Sequence, residues 1–309
     1  MKFFPTLLLW GSVCFMLQAQ NGTYTVIAEQ GDGIFSMLRG QGLNPVKYYE
    51  EFITLNEKNI KNGSMLHVGR EYIIPEAGDS LKNTGLRVAM SEGTEEAIFD
   101  EELANMSHKS TTLKNAVYYL IAENKIKEEN KFVSDIIKSL AAELLVHGAT
   151  VFIIEDGNTV ENGTASTEVE KMGAYVETIN KRYLQNSGKY QRLLIIRANG
   201  LIANENMDVA VYHHDNSEKG ARFAQNIQNV FKKNSVSSRS YRDINTIFED
   251  KNSLYLAKNT LPAISLLTVD NISKTLRKDG ISIHSDKKSF TNWVTSGILK
   301  DYADLSIEE

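Results

Sequence analysis

Apolar and polar positions change rhythm three times along this chain. From residue 113 onward, short apolar runs alternate with stretches of helical spacing. Val117–Ile121, Val151–Ile154, Leu193–Ile196, Asp208–Tyr212 and Ile264–Val269 are compact and bounded by polar or turn residues, which predicts buried strands. Between the first two, Glu128–His147 sets Val133, Ile136, Ile137, Leu140, Leu144 and Leu145 on one helical face and stops at Gly148. Val169–Tyr183, Ser217–Lys233 and Phe290–Tyr302 carry the same helical spacing. This alternation predicts an α/β fold, a mainly parallel twisted sheet flanked by helices, over 113–309.

The region 22–76 has a shorter rhythm. Tyr24–Ile27 reads as a strand, and Gly31-Asp32-Gly33 as a turn and helix start. Ile34, Met37 and Leu38 then recur at helical spacing, Tyr48, Tyr49, Phe52 and Leu55 repeat the pattern, and Val68–Pro75 closes as a strand. The predicted unit is a small βααβ domain. Residues 77–112 are polar, with isolated patches at Leu86-Arg87-Val88 and Ile98-Phe99, and predict a partly ordered linker.

The first residues change the picture of where the chain resides. Lys2, an apolar stretch from Phe3 to Leu17 and the small residue Ala19 have the anatomy of a signal peptide over 1–19, with bulky Leu17 the one irregular position near the cut. The stretch falls short of the ~20 residues of a membrane-spanning helix. The expectation is export to the periplasm or cell envelope, with no transmembrane segment in the mature chain. Cys14 is the only cysteine, and Gly11-Ser12-Val13 before it do not form a lipoprotein box. The mature chain would then hold no thiol or disulfide and depend on its core. Of 309 residues, 42% are apolar and 24% charged, as in ordinary soluble domains. A formal net charge of −5, without a long Lys/Arg cluster, argues against nucleic acid as a partner.

Tyr24-Thr25-Val26, Gly31-Asp32, Leu55-Asn56, Val68-Gly69 and Ile74-Pro75 occur in the order and setting of a LysM domain, which 22–76 resembles. Gly33 departs from the family's usual Thr, and the segment between the helices, Gly40–Lys47, is longer. The resemblance implies binding of N-acetylglucosamine-containing glycans, chiefly peptidoglycan. The groove would run between Gly31, Asp32, Gly33 and Ile34 on one side and Glu57, Lys58, Asn59 and Ile60 on the other. Taken singly, Gly31, Asp32 and Asn56 are better explained as helix caps and turn residues.

Three stretches of 113–309 resemble the zinc-dependent N-acetylmuramoyl-L-alanine amidases: Ala116–Ile121 with Val146–Val151, Tyr190–Asn199 with Asn216–Gly220, and Leu261–Ile264 leading to Asp270-Asn271-Ile272. The resemblance implies a zinc held by His, Glu and His, with a further Glu as general base. Here the first histidine turn is replaced by Ala122-Glu123-Asn124-Lys125, and the Glu ligand aligns with Glu129. The second histidine position holds Arg197, and the general base aligns with Leu267 or Thr268. A lone carboxylate beside an arginine does not hold a catalytic zinc. Glu129 is also explained as an acidic residue in a helix's first turn, or as a partner for Arg197. The expectation is no catalytic residue, no metal and no cofactor.

His213-His214-Asp215 is the one tight cluster of potential ligands, but adjacent strand residues point to opposite faces. No Gly-x-Ser-x-Gly elbow or phosphate loop is present. Two functions follow. The favoured one is a non-catalytic peptidoglycan-binding protein whose amidase-like domain binds wall peptides or a second cell-wall protein. The rival is an active zinc amidase with rearranged ligands drawn from His213 or His214, Glu129 and Asp215.

Overall fold

The computed structural model describes residues 24–60, 65–90, 94–124, 127–155, 168–199, 206–237, 247–271 and 280–308. The expected signal peptide and its cut lie outside them. No described helix is long and apolar enough to cross a membrane.

In the small unit, β1 (Thr25–Ile27) and β2 (Glu71–Ile73) pair antiparallel around α1 (Ile34–Gly40) and α2 (Pro45–Leu55). The helix starts are written locally. Asn44 caps α2 by accepting from the amides of Val46 and Lys47, with Pro45 at the first helical position. The apolar positions of both helices meet in one core of Ile34, Met37, Leu38, Tyr48, Phe52 and Tyr72.

The large sheet has eight strands, taken up in the order β10-β8-β9-β7-β5-β6-β3-β4. These are β3 (Gly85–Ala89), β4 (Glu95–Ala97), β5 (Ala116–Asn124), β6 (Thr150–Glu155), β7 (Tyr190–Asn199), β8 (Asn206–His213), β9 (Ala263–Asn271) and β10 (Ile281–His284). The pairings β3–β6, β6–β5, β5–β7 and β7–β9 are parallel, and the three others antiparallel. The mainly parallel sheet flanked by helices is therefore the architecture that the pattern predicts. One face carries α4 (Lys127–Val146), α6 (Glu218–Lys233) and α8 (Lys287–Glu308). The other is covered by α5 (Glu168–Gln185) and α7 (Lys251–Asn259). All six apolar residues expected on the face of α4 are buried.

The segment expected as a linker is a correction. Within 77–112 lie a helical turn, α3 (Leu81–Thr84), the edge strand β4 with its neighbour β3, and a 3-10 turn at Glu102–Asn105. Leu81, Ile98, Phe99 and Leu103 are buried in the main core. Their spacing follows neither a helical nor a strand period, because each is brought to the core by a different short piece. β3 owes its existence to β6, with which it pairs from Gly85–Val151 to Ala89–Glu155. The same segment also holds the small unit. Lys47 reaches Asp79 at 2.6 Å, and the Tyr48 hydroxyl donates to Asp79 at 2.5 Å. The Ser80 hydroxyl donates to the Gln41 carbonyl at 2.8 Å, and the Leu81 amide to the Gly42 carbonyl at 2.9 Å.

Candidate functional site

β7 is longer than the expected Leu193–Ile196 and runs past Arg197 to Asn199, with its neighbours continuing beside it. Cross-strand register sets Glu123 of β5, Arg197 of β7 and Thr268 of β9 in one row. Side chains alternate along a strand. Tyr119, Ile121, Leu193, Ile195, Ile264 and Leu266 pack under α5 and α7, so Glu123, Arg197 and Thr268 belong to that face. Leu267 packs with Leu194 and Ile196 on the opposite face. Of the two sequence alignments for the base position, only Thr268 therefore shares a face with Arg197. It is 2% exposed, and its hydroxyl has no hydrogen-bond partner among the described residues.

Arg197 is committed to carboxylates. Its Nη2 donates to Glu123 Oε2 at 2.7 Å and to Asp250 Oδ1 at 3.3 Å. Asp250 is also the N-cap of α7, accepting from the Ser253 amide at 3.0 Å. Burial on its own would lower the Arg197 pKa, but Glu123 and then Asp250 outweigh it and leave it raised. Burial pushes the Asp250 carboxyl upward, yet hydrogen bonding from Ser253 and the charge of Arg197 leave it below the ordinary 3.8. The guanidinium thus ties three elements, β5, β7 and the start of α7, where open α/β sheets have their ligand crevice. Sequence alignment expected Glu129 as the surviving acid and a partner for Arg197. Glu129 falls in the first turn of α4, with its side chain outside the described part, and the described partners of Arg197 are Glu123 and Asp250. Glu123 was visible only as filler in a shortened loop. Asp250 had a signal, an Asp three residues before Ser253, which is the spacing of a helix N-cap.

Replacing Arg197 with methionine should cost roughly 2 kcal/mol at neutral pH, since two partly buried carboxylates lose their counter-charge. The pH profile checks the cause. A carboxyl held low contributes stability that is complete above its ordinary value and is lost as pH falls through the lowered one. The native protein should therefore lose stability below about pH 4. The Arg197→Met protein should lose less there, and equal acid limbs in urea titrations would contradict the pairing.

Zinc does not fit this row. The residues that share it are a paired guanidinium, a carboxylate engaged with it and a threonine, and no group of three His, Cys, Asp or Glu side chains able to hold a metal occurs among the described residues. His213 aligns with Ser265, three residues along β9 from Thr268, or about 10 Å away. Its Nδ1 donates to the His214 carbonyl at 2.9 Å, and His214 Nδ1 accepts the Asn216 amide at 3.3 Å, so both histidines shape the turn before α6.

In the small unit, Gly31 takes φ +96°, the left-handed region that favours glycine. Asp32 accepts from the Glu29 amide at 2.9 Å and from the Ser36 hydroxyl, which itself receives the Gly33 amide at 2.8 Å. Ile34 is 2% exposed and belongs to the core, so it offers no surface to a ligand, contrary to its place in the expected groove. On the other side Lys58 is exposed, Asn59 donates to the Glu71 carbonyl at 3.2 Å, and Ile60 packs against the core. A bridge between Gly33 and Met65 connects the first loop to the segment following the second.

No family model matches the chain, and no curated protein matches it. Among solved structures, it is similar to the CwlD amidase of Clostridioides difficile in complex with the GerS lipoprotein, at 13% identity over 61% of this chain and 98% of that one, with a TM-score of 0.41. An N-acetylmuramyl-L-alanine amidase of Mycobacterium smegmatis gives 10% identity over 63% and 100%, with a TM-score of 0.40. A metallo-carboxypeptidase of Burkholderia cenocepacia gives 12% over 64% and 60%, with a TM-score of 0.38. Likenesses at these identities and scores assign no activity.

Proposed function

We propose that this chain is an exported cell-wall protein in which a LysM-type domain binds glycan strands and an amidase-like α/β domain serves as a non-catalytic binding module. The observation that carries the reading is Arg197. A guanidinium ion-paired on two sides stands where the amidase resemblance requires a ligand histidine, and Thr268 in the neighbouring position is no base. A bound cation there would have to displace or outcompete a fixed positive charge at contact distance. The glycan-binding half is supported by the βααβ order, the antiparallel closure of β1 on β2, and the partly exposed loops at Gly31–Gly33 and Lys58–Asn59.

Isolated sacculi should retain the purified chain, and substitution of Lys58 and Asn59 by alanine should weaken retention by about tenfold, the loss of one or two polar contacts. The same preparation should release no muropeptides and carry no stoichiometric zinc. Stoichiometric zinc lost together with muropeptide release in a Glu129→Ala protein would overturn the non-catalytic reading. Failure of sacculi to retain the chain would overturn the LysM reading.

A further inference from the structure

A cavity of about 410 Å³ lies where the corner between α1 and α2 meets residues 106–108 of the docking segment. Gly42, Leu43 and Leu81 are its buried floor, and Phe35, Val46 and Met106 supply apolar wall. Both sides of the frame are fixed by the backbone. The Leu81 amide donates to the Gly42 carbonyl at 2.9 Å, and the Lys109 amide ties the end of the docking segment to the Val146 carbonyl at 2.7 Å. Gly42 takes φ +72°, and a Cβ there would lie 2.8 Å from the Lys82 amide nitrogen, so a larger residue would force the floor apart. Val46 is 80% exposed and Phe35 46%, which leaves apolar surface uncovered at the rim. A concave, mostly apolar site of this size with a few placed polar groups is the usual form of a small-ligand pocket.

The polar lining selects the ligand. Among the described residues, no Asp or Glu lines the cavity. The lysines around it are spent, Lys47 on Asp79 at 2.6 Å, Lys82 on Asp100 at 3.0 Å and Lys109 on Glu143 at 2.6 Å. Arg39, in the last turn of α1, lines the cavity and makes no ion pair with a described residue, so its fork of donors is open to an anion. One guanidinium balances one carboxylate, whereas a doubly charged phosphate would keep a surplus charge against apolar walls. Asn44 spends its Oδ1 on the amides of Val46 and Lys47 and keeps its Nδ2 to donate. Burial lowers the pKa of half-buried His108 below the ordinary 6.5 and leaves it neutral at neutral pH. Its ring, like the Ser107 hydroxyl, therefore both donates and accepts, as pairing with a peptide group requires. We propose that this cavity binds the carboxyl terminus of a peptide whose last residue is apolar, with the carboxylate on Arg39 and the side chain against Leu43, Val46 and Met106. The site stands apart from the glycan-binding reading of the small unit, since no saccharide enters its recognition or its test.

The test is titration of the full chain with N-acetyl-alanyl-leucine, followed through backbone amide resonances. The same dipeptide as its carboxyl-terminal amide is one control. Isocaproate, which has the carboxylate and the branched side chain but no peptide group, is the other. The amides of Leu43, Leu81 and His108 should shift with the free acid, and the amidated dipeptide should bind about tenfold more weakly, the loss of a charge-assisted pair. Arg39→Gln should weaken the acid to the level of the amide yet bind the amide as the native protein does, a result that a damaged fold would not give. Val46→Ser, at an exposed position, should weaken acid and amide alike by about fivefold through lost apolar contact. Equal binding of acid and amide by the native protein would overturn the carboxylate assignment. Isocaproate bound as tightly as the dipeptide would overturn the peptide assignment and make a simple aliphatic acid the ligand. Shifts absent from Leu43, Leu81 and His108 with every probe would overturn the cavity site.

Discussion

Replacement of Asp301 by alanine should destabilise the large domain by about 3–5 kcal/mol, the cost of breaking a buried ion pair from one side. Asp301 lies on α8 and is 0% exposed. Its Oδ1 accepts from Arg222 Nε at 2.9 Å, Arg192 Nε stands 3.8 Å from Oδ2, and the Tyr190 hydroxyl donates to it. One carboxylate therefore serves an arginine on α6, an arginine on β7 and a tyrosine on β7, which joins the two helices to the sheet. Arg192 also lies over the Tyr190 ring, 4.0 Å from its centroid. Without the carboxylate, the buried Arg192 and the partly buried Arg222 lose their shared counter-charge. Trp293, the only tryptophan beyond residue 19, sits on the same helix and packs edge-on to Phe231. Its fluorescence should show the urea midpoint falling by roughly 1–2 M. Asp301→Asn, which keeps an acceptor, should lose less. A loss below about 1 kcal/mol for the alanine variant would mean that the arginines find other partners.

Asn56→Ala should cost about 3 kcal/mol, and the loss should appear in the small unit alone. Asn56 is 2% exposed and makes three hydrogen bonds. Its Nδ2 donates to the carbonyls of Phe52 and Ile73 at 2.9 and 2.8 Å, and its Oδ1 accepts the Ile73 amide at 2.7 Å. It thus pins the end of α2 to β2 and satisfies both backbone groups of Ile73. Alanine would leave those groups buried and unpaired in a unit with a small core. Amide exchange across 24–60 and 65–77 should accelerate while the Trp293 transition stays in place. The motif position Leu55-Asn56, which the LysM resemblance singles out, is in this structure occupied by a residue that builds the fold. An Asn56→Ala protein with native exchange protection would mean that the Ile73 backbone groups find other partners.

The candidate site was half legible. Arg197 stood out because the resemblance requires a ligand histidine at its position. Its partners did not stand out, since Glu123 and Asp250 lie 74 and 53 residues away in the chain and meet it only through strand pairing and the docking of α7. The choice between Leu267 and Thr268 shows the same limit. One residue of slip moves a side chain to the other face of the sheet, and only the observed register, Arg197 with Thr268, decides it.

Sequence by itself determined the elements whose burial repeats at a fixed period: the apolar strands at the centre of the sheet, the face of α4, and the order of the small βααβ unit. In these the local pattern and the final environment agree, because one long face packs against one partner. Tertiary structure alone decided the role of 77–112, the Asp301 cluster and the partners of Arg197. Each depends on residues far apart in sequence, brought together by strand order and by the docking of one unit on another. A local period carries no record of which strand becomes a neighbour, and in this protein the neighbours settle the chemistry.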